Sequence, residues 1–298
     1  MEIIPNILVV GSMNMDLVTR AERMPAIGET ISGTGFNTIP GGKGANQAVA
    51  SARMGANVAF IGCVGDDVYG NTLVETLSKE NINVERIEKI KDTPTGIATI
   101  IVDEKGNNSI VVVPGANALV STERLHKSKE LINWCNTIVL QLEIPLDTVI
   151  ESIIEGKKKD KTIIFNPAPV QELDEKIYKY VDYLIVNEIE AKQISKVQEN
   201  NHRELVESLL SMGFKNVLMT VGEQGVWFNK ENSIQHIPAI KVKAVDTTAA
   251  GDSFVGAFAT FLAKGLDKES AIKLAVKAAS ITVTRIGAQS SLPYLREI

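Results

Sequence analysis

An aspartate that follows a run of small residues marks the predicted start of an apolar helix. Residues 245–254 read Val-Asp-Thr-Thr-Ala-Ala-Gly-Asp-Ser-Phe, which places Asp252 directly after Gly251. Apolar residues follow at three- and four-residue spacing, so burial of one helix face would aim the N-terminus. Free N–H groups at such an end attract phosphate, and a carboxylate beside them is suited to take a proton from an attacking hydroxyl. The competing interpretation is that Asp252 is an ordinary N-cap.

A glycine-rich turn precedes a second predicted helix. Residues 40–47 read Pro-Gly-Gly-Lys-Gly-Ala-Asn-Gln, and small residues continue over 48–53. The turn matches neither the Walker A loop nor the glycine fingerprint of dinucleotide-binding domains. Its glycines would let a ligand approach the main chain closely, with Lys43 and Asn46 facing that ligand. A glycine-rich turn of purely structural origin is an equally good explanation.

Two polar side chains, Asn14 and Asp16, come just after the first predicted strand. Ligands of open α/β sheets bind beyond the carboxyl ends of the strands. Asn14 both donates and accepts hydrogen bonds and Asp16 accepts them from hydroxyl groups, so the pair suits a polyol such as a sugar. A turn rich in Asn and Asp would show the same residues.

Apolar runs of strand length alternate with helical segments, which predicts an α/β fold with crossover helices. The predicted strands cover 7–10, 58–61, 137–140, 162–165, 183–186, 216–220 and 225–228. The predicted helices cover 43–53, 71–79, 122–133, 146–155, 188–194, 203–212, 252–264 and 268–284. Polar residues stand at the strand ends: Glu143 after 137–140, Asn187 after 183–186, Thr220 in 216–220, and Asp246 after the apolar stretch 240–245. Taken singly, Glu143 and Asn187 could instead cap helices, and Gly222 with Gly225 could form only a hairpin turn.

Two stretches, 16–40 and 95–113, break the alternation. Segments 95–102 and 108–113 flank a glycine-containing turn and predict a β-hairpin with apolar side chains on both faces. A small sheet of that kind needs cover on both sides. We expect an inserted lid that closes over the site with one face and meets a second subunit with the other. The alternative is that the hairpin forms an edge of the main sheet.

Composition narrows the class of protein. A chain of 298 residues with 44% hydrophobic content is long enough for a full core, and its net charge of −5 argues against nucleic-acid or membrane-surface binding. No leader pattern or apolar run of about 18 residues is present, so a cytoplasmic location is expected. Cys63 and Cys135 lie far apart in apolar contexts and are expected to be buried thiols, and the histidines lack metal-ligand spacing.

Together, the two glycine-containing segments 41–47 and 246–254 resemble both signatures of the PfkB-type carbohydrate kinase family. They stand about 200 residues apart in the family's order, and the resemblance covers essentially all of 11–291. It implies a single catalytic domain over 1–298, built as a three-layer α/β sandwich with a mainly parallel central sheet and a small inserted β-sheet lid.

The resemblance also implies roles for individual residues. Asp252 is similar to the base that deprotonates the 5-hydroxyl of the sugar, and the backbone of Ala249, Ala250 and Gly251 resembles the anion hole for the transferred phosphoryl group. The remaining residues similar to sugar ligands are Asn14, Asp16, Gly41, Gly42, Lys43, Asn46 and Glu143.

The nucleotide and cation residues come from the same resemblance. Asn187 is similar to the residue near the phosphates, with Glu190 where the family organises magnesium. The loop similar to that lying along the nucleotide contains Thr220, Val221, Gly222, Glu223, Gln224 and Gly225, while Gly251 faces the nucleotide from the anion hole. An implied potassium-type monovalent cation site would use Asp246, Thr248, Thr282, Arg285, Gly287 and Ser291.

The resemblance therefore implies an enzyme that uses ATP with Mg²⁺, activated by K⁺, to phosphorylate D-ribose to D-ribose 5-phosphate. The composition and the two-faced hairpin add the expectation of a cytoplasmic homodimer. The pocket residues are polar or small and include no aromatic ring, which suits a bare pentose better than a nucleoside that needs a stacking partner. Kinases of deoxyribose, fructose or adenosine are the nearest alternatives. More distant ones are a non-catalytic sugar-binding protein and a nicotinamide-dependent oxidoreductase, although the glycine fingerprint of the latter is missing.

Overall fold

A computed structural model describes residues 4–197 and 201–298. Its strands are β1 (Asn6–Val10), β2 (Asn14–Ala21), β3 (Gly33–Gly41), β4 (Asn57–Gly65), β5 (Asn83–Ile90), β6 (Gly96–Val102), β7 (Asn108–Val113), β8 (Thr137–Leu140), β9 (Thr162–Phe165), β10 (Tyr183–Asn187), β11 (Val217–Thr220), β12 (Val226–Lys230) and β13 (Ser233–Ile237). Its α-helices are α1 (Lys43–Arg53), α2 (Val68–Lys79), α3 (Thr122–His126), α4 (Lys129–Trp134), α5 (Leu146–Lys157), α6 (Glu188–Ser195), α7 (His202–Ser211), α8 (Ala250–Ala263) and α9 (Lys268–Thr282).

The main sheet has the strand order β13-β12-β11-β10-β9-β8-β1-β4-β5, and it is parallel from β5 to β11. β12 and β13 continue it in antiparallel fashion. Its central strands are apolar on both faces because helices cover both sides. One apolar cluster lies against α1, α2, α8 and α9, and a second lies against the remaining helices. The predicted three-layer α/β arrangement is confirmed.

The predicted elements are present, with a few differences that have physical causes. The helix predicted over 122–133 is two short helices, α3 and α4, interrupted at Lys127 and Ser128. β5 and β13 were not predicted, because edge strands carry polar residues on their exposed sides and show no continuous apolar run. The stretch 240–245 is not a strand but an irregular, exposed segment, so the expectation that Asp246 closes a strand is wrong.

A separate four-stranded sheet has the order β3-β2-β6-β7. The β6–β7 hairpin pairs Ile97 with Val113 and Val102 with Asn108, which confirms the predicted hairpin. The edge-of-the-main-sheet alternative is wrong, because β6 pairs with β2 in parallel instead. The segments 16–40 and 95–113, which break the alternation in the sequence, supply nearly all of this small sheet.

Cys63 and Cys135 are buried free thiols, as expected. Within the described ranges 4–197 and 201–298, no helix is both long enough and apolar enough to cross a lipid bilayer.

Candidate active site

Close contact between α1 and α8 brings the two glycine-containing signatures together. A Cβ atom on Gly256 would lie 2.5 Å from the Cβ of Ala50, so a glycine is needed where the helices meet. One turn earlier on each helix, Asn46 and Gln47 face Asp252. The two signatures are therefore halves of one site, although about 200 residues separate them.

Asp252 is buried, with 8% of its surface exposed, in the first turn of α8. The N-cap of α8 is Ala249, so the interpretation of Asp252 as an ordinary N-cap is wrong. Asn46 Nδ2 and Gln47 Nε2 donate to the two carboxylate oxygens of Asp252, each at 2.9 Å. Burial raises the pKa of Asp252 although Lys43 and the two amide donors act in the opposite direction. A raised pKa makes the carboxylate a stronger proton acceptor.

Lys43 begins α1 and supplies the positive charge of the site. Burial lowers the pKa of Lys43, but the carboxylates of Asp252, Glu143 and Glu190 outweigh it and hold that pKa above its ordinary value. The ammonium group is therefore charged at neutral pH, where it can face the phosphate oxygens of a substrate.

A cavity of about 880 Å³ opens between the main sheet and the small sheet. From the main body it is lined by Gly42, Lys43, Asn46, Glu143, 244–249, Asp252, 286–288 and Ser290, and from the small sheet by Asn14, Asp16, Val18, Arg20, 37–39, Ala98, Ile100, Val102, Gly106, Asn108, Ile110 and Val112. Apolar side chains of the small sheet thus face a floor of polar groups. No aromatic ring is part of this lining as the described residues define it.

Asp16 lies in β2 and faces this cavity, so the turn interpretation of Asn14 and Asp16 is wrong. A Cβ atom on Gly41 would lie 2.5 Å from an oxygen of Asp16, which explains the glycine there. Burial raises the pKa of Asp16 to about 7, and the nearby carboxylates of Glu143 and Asp252 add to the rise. Asp16 is a half-buried carboxylate to which the described residues offer no ion pair, an arrangement that folding alone would not favour.

The glycine-rich turn is built around its own main chain as well as the cavity. Gly42 has a φ of 90°, and a Cβ atom there would lie 2.7 Å from the backbone nitrogen of Asn14. A Cβ atom on Gly44 would lie 2.5 Å from the nitrogen of Ser12. Both interpretations of the turn therefore hold in part: the glycines permit backbone packing, while Lys43 and Asn46 face the cavity.

Glu143 is anchored below the same cavity. Its Oε2 accepts hydrogen bonds from Ser12 Oγ at 2.5 Å and from the backbone N–H of Lys43 at 3.0 Å. The alternative of a helix cap is wrong for Glu143, because Pro145 is the N-cap of α5.

A second cavity, of about 240 Å³, is also lined by Asp252 and lies at the N-terminus of α8. Its lining combines Lys43, Asn166, 185–187, Glu190, Thr220, Thr247, 249–252 and Val255. Ala249 has a left-handed φ of 58°, which turns the chain into the helix, and a Cβ atom on Gly251 would meet no atom within 4 Å. The Ala250 N–H donates to the carbonyl of Thr247 at 3.3 Å, and the first bond of the α-helical pattern runs from Ser253 to Ala249. The N–H groups between them belong to a helix start and lie beside open space that suits a phosphoryl group.

Asn187 and Glu190 lie at this second cavity and also cap α6. Asn187 Oδ1 accepts from the Glu190 N–H, and the Asn187 N–H donates to Glu190 Oε2, both at 2.8 Å. The cap interpretation is thus correct for Asn187, and it coexists with a position in the cavity wall. Burial raises the pKa of Glu190, opposed by the Asn187 N–H and by Lys43.

The loop after β11 is a hairpin connection to the antiparallel strand β12. Gly225 has a φ of 104°, and a Cβ atom there would clash with the carbonyl oxygen of Ile237 at 2.1 Å, so the hairpin-turn interpretation is also correct. Of this loop, Thr220 contributes to the second cavity, whose described lining includes none of 221–225.

The residues expected at a monovalent cation site lie together in part. Asp246 accepts from the N–H groups of Thr248 and Gly287, each at 2.9 Å, which joins the segment before α8 to the loop after α9. The buried Ser291 belongs to that loop, and its hydroxyl donates to the carbonyl of Ala288 at 2.7 Å. Thr282 instead donates to Ser253 Oγ at 2.8 Å.

The Arg285 guanidinium donates a hydrogen bond to the Glu297 carboxylate. Only the carbonyl of Arg285 therefore suits a cation. The described residues contain no cluster of three acidic, histidine or cysteine side chains that could hold a metal ion.

Sequence reasoning missed four buried amides around the site, namely Gln47, Asn117, Gln141 and Asn166. Asn117 Oδ1 accepts from the Met13 N–H, and Asn117 Nδ2 donates to the Met13 carbonyl. The same Nδ2 donates to Asn14 Oδ1 at 2.8 Å, so the Nδ2 of Asn14 is left for a ligand. Buried amides so far apart in the chain give no local pattern, and only their polarity within apolar surroundings could have marked them.

Comparisons with known proteins place this geometry in a family. The family model described as pfkB family carbohydrate kinase matches residues 5–295. Ribokinase from Schizosaccharomyces pombe is 42% identical, with 98% of this chain and 96% of the relative covered. Deoxyribokinase from Salmonella typhi is 38% identical, with 98% and 97% covered. A solved structure of Arabidopsis thaliana ribokinase complexed with ribose and ATP superposes with a TM-score of 0.90 at 29% identity, with 99% of this chain and 97% of that chain covered.

Proposed function

Because the chain belongs to the pfkB family of carbohydrate kinases, we propose that it transfers the terminal phosphoryl group of ATP to the 5-hydroxyl of D-ribose. The protein is a phosphotransferase that acts on an alcohol group. One observation carries the proposal: Asp252 lines both the larger cavity and the one at the N-terminus of α8. A base in that position meets a hydroxyl on one side and a phosphoryl group on the other.

The proposed reaction follows from this placement. The sugar lies in the larger cavity with hydroxyls bonded to Asn14 Nδ2 and the Asp16 carboxylate, and with its 5-hydroxyl at Asp252. Asp252 takes the hydroxyl proton while the oxygen attacks the terminal phosphorus of ATP, and the bond to the ADP oxygen breaks. N–H groups of 249–251 and the Lys43 ammonium stabilise the charge on the transferred group.

Magnesium supplies charge neutralisation on the ATP phosphates in this class of reaction. Carboxylate oxygen and retained water are the ligands that Mg²⁺ prefers, and Glu190 offers a carboxylate beside the second cavity. The backbone N–H of Asn187 donates to that carboxylate at 2.8 Å and holds it in place. We propose that Glu190 binds water of the metal. The nucleotide would extend from there past Thr220 and along 221–225.

D-ribose is the proposed acceptor because the cavity has polar groups at its floor and no aromatic ring in its described lining. Stacking on an aromatic ring is the usual way to hold a base, so adenosine is a poorer candidate. The similarity to a deoxyribokinase makes 2-deoxyribose the main alternative, and fructose the next.

A coupled assay of ADP formation across pentoses, hexoses and nucleosides tests the proposed acceptor. We expect the highest kcat/KM for D-ribose, with 2-deoxyribose and fructose below it and adenosine at background. The position of the new phosphate is read from the ³¹P spectrum of the product. A higher kcat/KM for 2-deoxyribose or for a nucleoside would contradict the assignment.

We also propose a monovalent cation site formed by oxygen atoms of Asp246, Thr248 and the loop that contains Gly287 and Ser291. Asp246 is joined to Gly287 by a hydrogen bond of 2.9 Å, so a cation held there would set the position of the segment leading into the anion hole. Replacing potassium by tetramethylammonium at equal ionic strength should therefore lower kcat. Equal rates in the two salts would show that no cation at this site matters.

We propose that the small sheet is a lid, formed by 16–40 and 95–113, through which two subunits associate. On its face away from the cavity, Leu17 and Ile97 pack against the main body, but Phe36, Val111 and Val113 are 60%, 66% and 45% exposed. A symmetric dimer is the simplest way to cover such a patch.

A cytoplasmic location of the protein remains a prediction from the sequence.

The double variant Val111→Asp/Val113→Asp should be monomeric and should bind ribose more weakly, although no proposed sugar ligand is changed. Mass in solution and calorimetric ribose affinity measure the two effects. Ser109→Asp, on the same face of the same strand, serves as the control. A monomeric wild type would contradict the lid dimer, and dissociation by Ile110→Asp/Val112→Asp alone would assign the contact to the cavity side.

A further inference from the structure

Asp252 receives one amide donor from each of two adjacent residues of α1, and these residues differ in what else they touch. Asn46 lines the larger cavity and can meet a sugar directly. Gln47 is fully buried, and the described lining of neither cavity includes it. Any effect of Gln47 on the reaction must therefore pass through a partner that lines a cavity, either the Asp252 carboxylate or Asn166, and of these two only Asp252 lines both cavities.

The orientation of the Gln47 amide is determined by a backbone carbonyl. The oxygen of Ile185 can only accept, and Asn166 Nδ2 donates to it at 2.9 Å. The Oδ1 of Asn166 then faces Gln47, whose Nε2 donates to it at 3.1 Å. The opposite orientation of Gln47 would set its oxygen against the oxygens of Asn166 and Asp252, with no proton between them.

Gln141 holds the other side of the same amide. Its Nε2 donates to Gln47 Oε1 at 2.6 Å, directly after the end of β8. A Cβ atom on Gly11 would lie 2.2 Å from Gln141 Oε1, so the glycine that follows β1 is required for this packing. The three side chains of Gln141, Gln47 and Asn166, here called the amide network, thus connect the ends of several central strands to Asp252. Burial excludes water from these bonds, and the low dielectric strengthens them.

We propose that Gln47, held in one orientation by Gln141 and Asn166, is a positioning residue that fixes the Asp252 carboxylate for proton transfer. The inference rests on the proposed role of Asp252 as the base. Amide donors from α1 occupy one lone pair on each carboxylate oxygen, so the remaining lone pairs are left for groups in the cavities. Without the Gln47 donor, Asn46 alone orients the carboxylate, which is then freer to rotate about its Cβ–Cγ bond.

The test compares Gln47→Met with Gln141→Met and a matched control. Gln47→Met keeps the length of the side chain and removes its donor, and we expect kcat to fall by about 10–10² because small displacements of a catalytic group have effects of that size. The KM values for ribose and ATP should stay within about threefold, since neither ligand touches Gln47. Gln141→Met should lower kcat by a smaller factor, still more than about twofold.

The control is Thr260→Val, another buried polar residue between α1 and α8, whose hydroxyl donates to the carbonyls of Gly256 and Ser51. It should lower the melting temperature and leave kcat within about twofold. A purely structural role for Gln47 predicts that all three variants lose stability while each keeps its kcat.

A value of kcat for Gln47→Met within twofold of wild type would overturn the proposal. If Gln47→Met does not fold, an unchanged kcat in Gln141→Met overturns it equally. Turnover retained in Asp252→Asn would instead show that Asp252 is not the base, which contradicts the proposed function on which this inference rests. An inactive Asp252→Asn together with a fully active Gln47→Met would refute only the positioning role.

Discussion

Replacing Asp252 with asparagine is expected to abolish turnover while ribose and ATP still bind. The substitution removes the proton acceptor and keeps the shape of the side chain, and the loss of a general base lowers kcat by about 10²–10⁴. Asn46 Nδ2 can still donate to the new amide oxygen. Gln47 Nε2 loses its acceptor on residue 252 but keeps its bond to Asn166 Oδ1, so the contact between α1 and α8 should survive. Calorimetry measures both affinities, and the coupled assay measures kcat.

Asp267→Asn is the matched control for this experiment. Asp267 is the N-cap of α9, and its carboxylate accepts from the Ser270 N–H, a role that asparagine also performs. We expect wild-type kcat for this variant. Residual turnover of Asp252→Asn within threefold of wild type would remove Asp252 as the base.

Replacing Asp16 with asparagine is expected to weaken ribose binding and to stabilise the fold above neutral pH. A hydrogen bond to a charged group contributes about 1.5–3 kcal/mol, so losing such bonds to sugar hydroxyls should lower affinity on the order of 10²-fold. The stability gain has a different cause. Asp16 is a half-buried carboxylate near Glu143 and Asp252, and the neutral amide removes first the desolvation of the charge and then that repulsion.

The pH dependence of this stability gain follows from the direction of the pKa shift. Burial raises the pKa of Asp16 from 3.8 to about 7, so between these values the folded state binds more protons than the unfolded state. The contribution of Asp16 to the free energy of unfolding of the wild type therefore falls as pH rises through this window. Asp16→Asn should match the wild type near pH 4 and exceed it at pH 8, as measured by denaturant unfolding.

The same titration should appear in wild-type catalysis. Ribose binding needs the ionised carboxylate to accept the hydrogen bonds of sugar hydroxyls, so kcat/KM for ribose should decline as pH falls below about 7.

Asp103→Asn in the β6–β7 turn is the control for the stability gain of Asp16→Asn. The Asn107 side chain holds the pKa of that exposed carboxyl below its ordinary value, so its removal should bring no gain in stability at pH 8. An unchanged ribose affinity in Asp16→Asn would contradict its role.

The α/β class could be read from the sequence because central strands and their helices leave patterns in short windows. Residues 137–140 and 162–165 form strands with the predicted bounds, since parallel strands buried on both faces show as continuous apolar runs. The bounds of α1 were also predicted correctly, because Gly42 and Arg53 mark its ends. Edge strands β5 and β13 left no such pattern.

The candidate site was also accessible through its two signatures, because small residues next to Asp252 and Lys43 are local features of the chain. Their assignment to one site came from a family resemblance, not from spacing. The structure supplies the physical connection, which is the contact between Gly256 and Ala50 that brings α1 onto α8. Contacts between residues that far apart depend on the packing of whole helices, and no local pattern encodes them.

The sequence by itself determined the α/β class, the β6–β7 hairpin and the residues around Asp252, because periodicity, turn chemistry and helix starts are properties of short segments. Only the tertiary structure decided that the hairpin belongs to a separate sheet, that Asp246 follows an irregular segment, and which amides surround Asp252. The orientation of one amide in the amide network depends on its neighbour, because hydrogen bonds join Gln141 to Gln47 and Gln47 to Asn166. Hydrogen bonds between buried groups that are distant in the sequence depend on how the backbone brings those groups together. They therefore cannot be predicted from local sequence patterns before the fold is known.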